Sequence, residues 1–372
     1  MMNFARSLLI AAAVTAPRAF AANCSANLRR RHYDVFQAHG GIKATACPSG
    51  NHFVEYADST CAQKQHASTG AKSAALVIGG NTGSDCVGLL MFLSGLAEVG
   101  IGAWIDVVNS VEPQHYPRPN CPHADYPRLH HNQPEAAHVY CVEPLPRSYK
   151  TIAAAAAMSP FRGKLTAIHA AASDVVPEGG TVPFTNHDRF GKEQSHIDYE
   201  APSSVQGTLK LTEPPHKKIS KPGKSAGRKH KKETFVNVVA TTVDTLVENE
   251  LGGVPPLVLS IDTEGFDGLV LKGARRTLRS GGVGLLAFEF HGNGPWAHMR
   301  LSDTVAELDE LGYECYWAHF QGLLPLTCFD WNAFGNEHKW SNLVCAARSN
   351  ECWSKALERA VLQEAGGSSG RT

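Results

Sequence analysis

The chain has 372 residues, and its 35 Lys plus Arg are balanced by 35 Asp plus Glu. That length can bury the core of one large domain or two small ones. The zero formal charge argues against a polyanionic partner for the chain as a whole, and no apolar run reaches the roughly 18–20 residues of a membrane-spanning helix.

The first segment in chain order reads as a leader rather than as part of the fold. Arg6 precedes the apolar run 8–16, and Ala19-Phe20-Ala21 has the small-x-small form of a cleavage site, so residues 1–21 have the layout of a secretory signal. A mitochondrial presequence is the alternative, because no acid occurs before Asp34 while Arg6, Arg18 and Arg29–Arg31 are basic. The ten cysteines form no CxxC pair, and an even number suits disulfides in an oxidising compartment. Cys86, Cys141 and Cys345 lie in apolar runs and suit free core thiols equally well. Residues 22–73 have few apolar runs and read as an irregular extension.

From Ala74 the pattern changes. Short apolar strands are expected at 74–78, 138–142, 165–169, 257–261, 284–290, 314–319 and 342–346. Helical patterns lie at 85–99, 147–158, 243–250, 269–280 and 302–311, so strands and helices alternate. Such alternation predicts an α/β fold with a parallel sheet and helices on both faces, over residues 74–348. Two loop insertions interrupt it, at about 109–137 and 179–233. The second carries nine Lys or Arg between Lys210 and Lys232 against Glu213 alone. With Pro, Gly and Ser interleaved it reads as a solvated loop, or as a landing site for an acidic substrate such as a uronic or sulfated glycan. Nucleic acid is the weaker reading, because few rings (His216, Phe235) are placed to stack on bases. Residues 349–372 read as a C-terminal helix and a flexible tail.

Acids and glycines gather at the strand ends. In A-A-L-V-I-G-G-N-T-G-S-D (74–85) a strand runs into a turn whose Gly79, Gly80 and Gly83 permit close backbone approach to a ligand, before a helix N-terminus that favours negative charge. H-V-Y-C-V-E-P (138–144) ends a strand on Glu143, an acid able to take two hydrogen bonds from a ribose diol at the ligand edge of a doubly wound sheet. Glu112 is a rival for that role. A-A-S-D (171–174) offers Asp174, either facing an adenine or capping a turn. L-V-L-S-I-D-T-E-G-F-D-G-L-V-L-K-G-A (257–274) places Asp262 where a buried strand ends and Glu264 just beyond it, with Asp267 read as a helix cap. Asp262 and Glu264 face the ligand edge, or else chelate a metal with Glu289 and His291 of F-E-F-H in a hydrolase.

The order G-G-N-T-G, V-E-P-L-P, A-A-S-D, T-T-V-D-T-L, I-D-T-E-G-F-D-G-L-V-L-K-G-A and F-E-F resembles the FkbM-type methyltransferases, over about residues 74–346. The resemblance implies a Rossmann-like sheet of seven strands that binds S-adenosylmethionine, and methyl transfer to an oxygen, often on a sugar or natural product. It implies that Gly79, Gly80, Asn81 and Gly83 line the methionine part of the cofactor and that Glu143 holds its ribose. Asp174 then lies near adenine, and Asp262 and Glu264 lie beside the reacting centre. The proton acceptor is expected among His291, Asp262 and Glu264, in that order, because histidine titrates near neutrality. The family usually carries an Asp two residues before the first turn glycine, where this chain has Val77. That departure leaves a non-catalytic secreted or lumenal binding module as the alternative.

Overall fold

The computed structural model describes residues 24–41, 61, 73–96, 98–112, 137–186, 234–319, 321–335 and 337–362. The leader 1–21, Cys47, Cys121 and the basic block 210–232 lie outside them. In chain order the strands are β1 (Ser73–Ile78), β2 (Ala137–Val142), β3 (Leu165–Ile168), β4 (Ala171–Ala172), β5 (Thr181–Asn186) and β6 (Thr234–Thr241). They continue with β7 (Val258–Ile261), β8 (Leu285–Phe290), β9 (Tyr313–His319), β10 (Gly322–Pro325) and β11 (Ser341–Ala347).

Eight of these form one sheet in the order β3-β2-β1-β7-β8-β11-β9-β10. The five strands from β3 to β8 are mutually parallel, while β11 runs antiparallel to both β8 and β9. The apolar run of β1 reflects burial on both faces. Ala75 and Val77 point into one core cluster, with helices Ser84–Ser94, Ile101–Val111 and Pro146–Ala156. Leu76 and Ile78 point into the other, with helices Val243–Glu250 and Leu301–Glu310. The chain enters the sheet at β1, winds outward to β3 and returns on the opposite side at β7. The order therefore reverses between β1 and β7, the place where doubly wound sheets open a crevice at their carboxyl ends.

Each of the seven strands read from the sequence is present, but the sheet has eight. The added strand is β10, which forms an antiparallel hairpin with β9 in the register Leu323↔Ala318 and Leu324↔Trp317. Its G-L-L-P sequence is too short to read as a strand. It forms because Leu323 and Leu324 are buried on opposite faces of the sheet edge, where the terminal proline is tolerated.

Four other expectations are corrected. The extension is not irregular throughout, since Ala26–Ala38 is a helix whose N-cap Ser25 hydroxyl accepts the Leu28 N–H. The pattern 85–99 stops at Ser94 on a left-handed Gly95, and a second helix, Ile101–Val111, begins within the segment next to the first insertion. Helix 269–280 divides into Asp267–Lys272 and Arg275–Arg279. The second insertion is framed by structure: β5 pairs antiparallel with β6, and β4 adds in parallel, giving a small second sheet. Its buried face, with Val182, Phe184, Val238 and Ala240, packs on Leu145 and Phe266 beside the carboxyl edge of the main sheet.

Disulfides staple this scaffold. Cys86–Cys141 joins helix Ser84–Ser94 to β2, and Cys315–Cys345 links directly opposed residues of β9 and β11. Cys61–Cys352 ties the extension to helix Glu351–Arg359, and Cys24–Cys328 ties the N-terminal helix to the segment after β10. Among the described residues no cysteine is free, so the reading of Cys86, Cys141 and Cys345 as core thiols is corrected.

The N-terminal helix is part of the core. Phe36 is 1 % exposed, stacks on Trp317 with ring centroids 4.5 Å apart and meets Phe329 edge-on. Phe36→Ala is therefore expected to cost about 3–5 kcal/mol, read as a lowered denaturation midpoint with the disulfides intact. A loss below about 1 kcal/mol would mean that the helix is an appendage.

Candidate active site

Three strand ends converge at the reversal point. The N–H groups of Gly79 and Gly80 both donate to the Val142 carbonyl, and the Asp262 N–H donates to that of Ile78. The turn after β1 thus lies between the ends of β2 and β7. Gly79 has φ +94, and a Cβ on it would stand 1.7 Å from the Asp262 carbonyl oxygen, so no side chain fits there. Asn81 takes a left-handed φ of 44 in the same turn. The turn rests on Trp104, whose indole N–H donates to the Thr82 carbonyl at 2.9 Å.

Glu143 sits at the end of β2 and is buried. Its Oε2 accepts the Asn81 N–H at 2.6 Å and its Oε1 accepts the Leu145 N–H at 2.7 Å. Each oxygen retains a lone pair for a further donor. Burial pushes the carboxyl up to about 7, while the bonds from Leu145 and Asn81 pull the other way. The rival Glu112 ends helix Ile101–Val111 and is ion-paired to Arg147 at 2.9 Å. Asp174 lies just past β4, where the Ser173 hydroxyl donates to its Oδ1 at 3.0 Å. It belongs to the margin of the small sheet and is not among the acids that act on Asp262 or Glu289.

Beyond β7 the acids divide by role. Asp267 is fully buried and is not an N-cap. It is the first residue of helix Asp267–Lys272, whose N-cap is Phe266. Its Oδ1 accepts the Glu289 N–H at 3.0 Å and its Oδ2 the Thr263 hydroxyl at 2.9 Å, which pins the loop after β7 to β8. Asp262 and Glu264 are partly exposed at the crevice, and Glu264 has a left-handed φ of 54. Desolvation, then Glu289, Glu264 and Asp85, hold the Asp262 carboxyl well above the usual carboxylate range. Glu289 is raised likewise by burial, Asp267, Glu264 and Asp85, against a hydrogen bond from Trp340. Asp85 and Trp340 belong to this group and were not picked out from the sequence. Asp85 is visible there as the second residue of the helix after the glycine turn, whereas Trp340 has no local signal.

His291 ends the group. It is 1 % exposed, stacks on Trp340 with centroids 4.4 Å apart, and its Nδ1 accepts the Asn293 N–H at 3.1 Å. The neutral ring therefore carries its proton on Nε2. Burial lowers its pKa to about 4, so the ring is a neutral donor near pH 7. Among the described residues no group of three or more His, Cys, Asp or Glu is arranged to hold a metal ion.

Glu143 gives the site a pH signature. A carboxyl with a folded-state pKa raised to about 7 binds its proton more tightly in the folded state than in the unfolded one. Its contribution to stability is therefore lost as pH rises from about 4.5 to 7, by on the order of 3 kcal/mol. His291, lowered to about 4, acts with opposite sign between about 4 and 6.5. The wild-type profile also carries the raised carboxyls of Asp262, Asp267 and Glu289, and the difference from Glu143→Gln isolates the Glu143 part. The melting temperature of the variant relative to wild type should climb between pH 4.5 and 7 and be flat below pH 4.5. Parallel profiles would show that Glu143 is not desolvated.

No curated protein and no solved structure matches the chain significantly. The model of the methyltransferase FkbM domain matches residues 106–315, more than half of the chain. The match runs from helix Ile101–Val111 into β9. It includes Glu143, Asp174, Asp262, Glu264 and His291, and leaves β1 and the glycine turn outside. On that match, together with a mostly parallel α/β sheet, the chain belongs to the FkbM methyltransferase domain family.

Proposed function

We propose that the protein is an S-adenosylmethionine-dependent O-methyltransferase, and that the crevice between the ends of β1 and β7 holds the donor. One observation carries this reading. Three of the hydrogen-bonding atoms that the fold buries without a partner, Asn81 Oδ1, Glu289 Oε2 and His291 Nε2, belong to residues at this one edge, while others, such as Trp317 Nε1 and Trp353 Nε1, lie elsewhere in the core. Buried polar atoms left unmatched are costly, and a polar, cationic ligand fits this set. The residues present fit the donor. Glu143 would take its ribose hydroxyls, Gly79, Gly80, Asn81 and Gly83 its methionine part, and Asp174 the adenine side.

When bound, the donor supplies an electrophilic methyl group on a sulfonium. The work of the chain is alignment and proton handling. Asp262 is the best proton acceptor of the three candidates, because its surroundings raise its proton affinity while leaving it partly open to the crevice. A cation nearby restores the ionised form it needs. Glu264 shares that charge. His291, with Nδ1 engaged by Asn293, serves as a donor that orients the acceptor oxygen.

The four disulfides among the described residues fit an oxidising compartment. We place the protein in the secretory pathway on this ground, with the leader 1–21 as its address and the mitochondrion as the alternative. Among the described residues no helix is long and apolar enough to cross a membrane. The acceptor is a sugar or another hydroxyl compound, acidic if the basic block 210–232 meets it. A binding module without catalysis remains the second reading, favoured by the apolar Val77 buried in β1.

The test is calorimetric titration of S-adenosylmethionine into protein lacking residues 1–21, with Glu143→Ala beside it. Saturable binding that weakens at least about tenfold in the variant is expected, as for loss of a charged hydrogen-bond acceptor. Absence of binding by folded protein would overturn the enzyme reading in favour of the module.

A further inference from the structure

The glycine turn is seated on a disulfide. Cys141 lies in β2 just before Glu143, and Cys86 lies in the first turn of the helix that follows Gly83. Both cysteines are 0 % exposed. A Cβ on Gly80 would stand 2.7 Å from the Cys141 Sγ and 3.5 Å from the Glu143 Cβ. Gly80, unlike Gly79 and Gly83, has no positive φ. What excludes a side chain there is therefore the sulfur beneath it and not the backbone conformation. The next residue is Asn81, whose N–H donates to Glu143 Oε2 at 2.6 Å. The contact on the sulfur and the hydrogen bond that orients Glu143 are thus neighbours in the chain.

Before oxidation two thiols occupy this place. Sulfurs that are not bonded must separate to van der Waals contact, and a closely packed core resists the extra volume. Helix Ser84–Ser94 and β2 are packed into the sheet, with Cys86, Cys141 and Ile152 in one apolar cluster, so the displacement falls on the turn. We infer that Cys86–Cys141 is a positioning element of the candidate active site, which seats the turn so that the Asn81 N–H meets Glu143, and that the site takes its ligand-ready form only when this pair is oxidised. Formation of the bond passes two protons and two electrons from the thiols to a disulfide-bearing oxidant, which leaves as its dithiol. Such oxidants act in the compartments where disulfides persist, so a chain held in a reducing compartment would lack a working site. The positional claim needs no ligand, while its consequence for donor binding rests on the methyltransferase reading.

The experiment sets Cys86→Ala/Cys141→Ala against Cys315→Ala/Cys345→Ala. The paired residues are 55 and 30 apart in sequence, so loss of either bond loosens the unfolded chain to a similar extent, and only the first bond touches the turn. Wild type and each variant are compared with their own Glu143→Gln derivatives by melting temperature between pH 4.5 and about 7. Wild type and Cys315→Ala/Cys345→Ala are expected to show the same climb of the Gln derivative. In Cys86→Ala/Cys141→Ala the climb should fall to less than about half, because a turn that has left its seat admits water to Glu143, and burial is the main cause of its raised pKa. Gly80→Ala, with every disulfide intact, should do the same, since its methyl group presses on the Cys141 Sγ, and this variant decides the matter if the disulfide variant does not fold. Affinity for S-adenosylhomocysteine, read by calorimetric titration, should fall at least about tenfold in Cys86→Ala/Cys141→Ala and stay within about twofold in Cys315→Ala/Cys345→Ala. A climb that is unchanged or steeper in Cys86→Ala/Cys141→Ala or in Gly80→Ala would overturn the inference, as would an equal reduction in the two disulfide variants. Absence of S-adenosylhomocysteine binding by wild type, with the pH profiles as expected, would overturn the methyltransferase reading alone.

Discussion

The arrangement depends on the close approach of two parallel strand ends. β1 and β7 are paired through Ile78↔Ile261, and the next residues leave the sheet in contact. The Asp262 N–H reaches the Ile78 carbonyl, and the Asp262 carbonyl lies where any Cβ on residue 79 would stand. A glycine there lets the turn lie flat across the end of β7, so that backbone donors and acidic side chains share one crevice. With β1 and β7 even slightly further apart, Glu143, Asn81 and Asp262 would belong to different surfaces. The topology brings the strands together, and the missing side chain lets them touch.

What holds that contact is spread through the molecule. Cys86–Cys141 fixes the helix after the turn to the strand that carries Glu143. Trp104 supports the turn from below through the Thr82 carbonyl. On the β7 side, Asp267 spends both carboxylate oxygens on tying the loop to β8, through Glu289 and Thr263. A buried carboxylate used in this way orders the loop that presents Asp262 and Glu264. The two covalent links to the segments at the chain ends, Cys24–Cys328 and Cys61–Cys352, close long loops, which restricts the unfolded chain most. Apart from Asp267, these supports lie away from the crevice, yet each limits how far its walls can move.

The parallel core was legible because its strands, buried on both faces, are uninterrupted apolar runs, and because acids and glycines are uncommon at such strand ends unless a turn or a site needs them. L-V-L-S-I-D and V-Y-C-V-E announce themselves in this way. What escaped notice has weak local signal. Helix Ala26–Ala38 buries only Val35 and Phe36 and is masked by Arg29–Arg31. β10 is four residues long and is recruited by β9. β5 and β6 are adjacent in space but separated by the long basic insertion. The division of labour among acids was also hidden. Asp267 looked like a cap by position, yet its bonds run to Glu289 and Thr263, which only the tertiary fold supplies. His291 read as a base from its type, whereas the Asn293 N–H on Nδ1 makes it a donor.

Electrostatics also explains why such a crevice is tolerated. Parallel strand ends bring carboxylates together in a place that apolar packing has partly desolvated, and each ionised neighbour raises the cost of the next. A fold under no other demand would neutralise such a cluster with Lys or Arg, or replace it with apolar residues, which stabilises as often as not. Here Asp262 and Glu289 have no such partner among the described residues, while Asp85 adds a further acid nearby. The free energy withheld from folding is then available to a cation. A positively charged ligand that enters the crevice relieves repulsion already present in the protein, and so gains more than the same contacts would yield at a neutral surface. In the proposed methyl transfer, loss of the positive charge would remove part of that attraction, so acids that would draw in a sulfonium would also favour release of the thioether that remains.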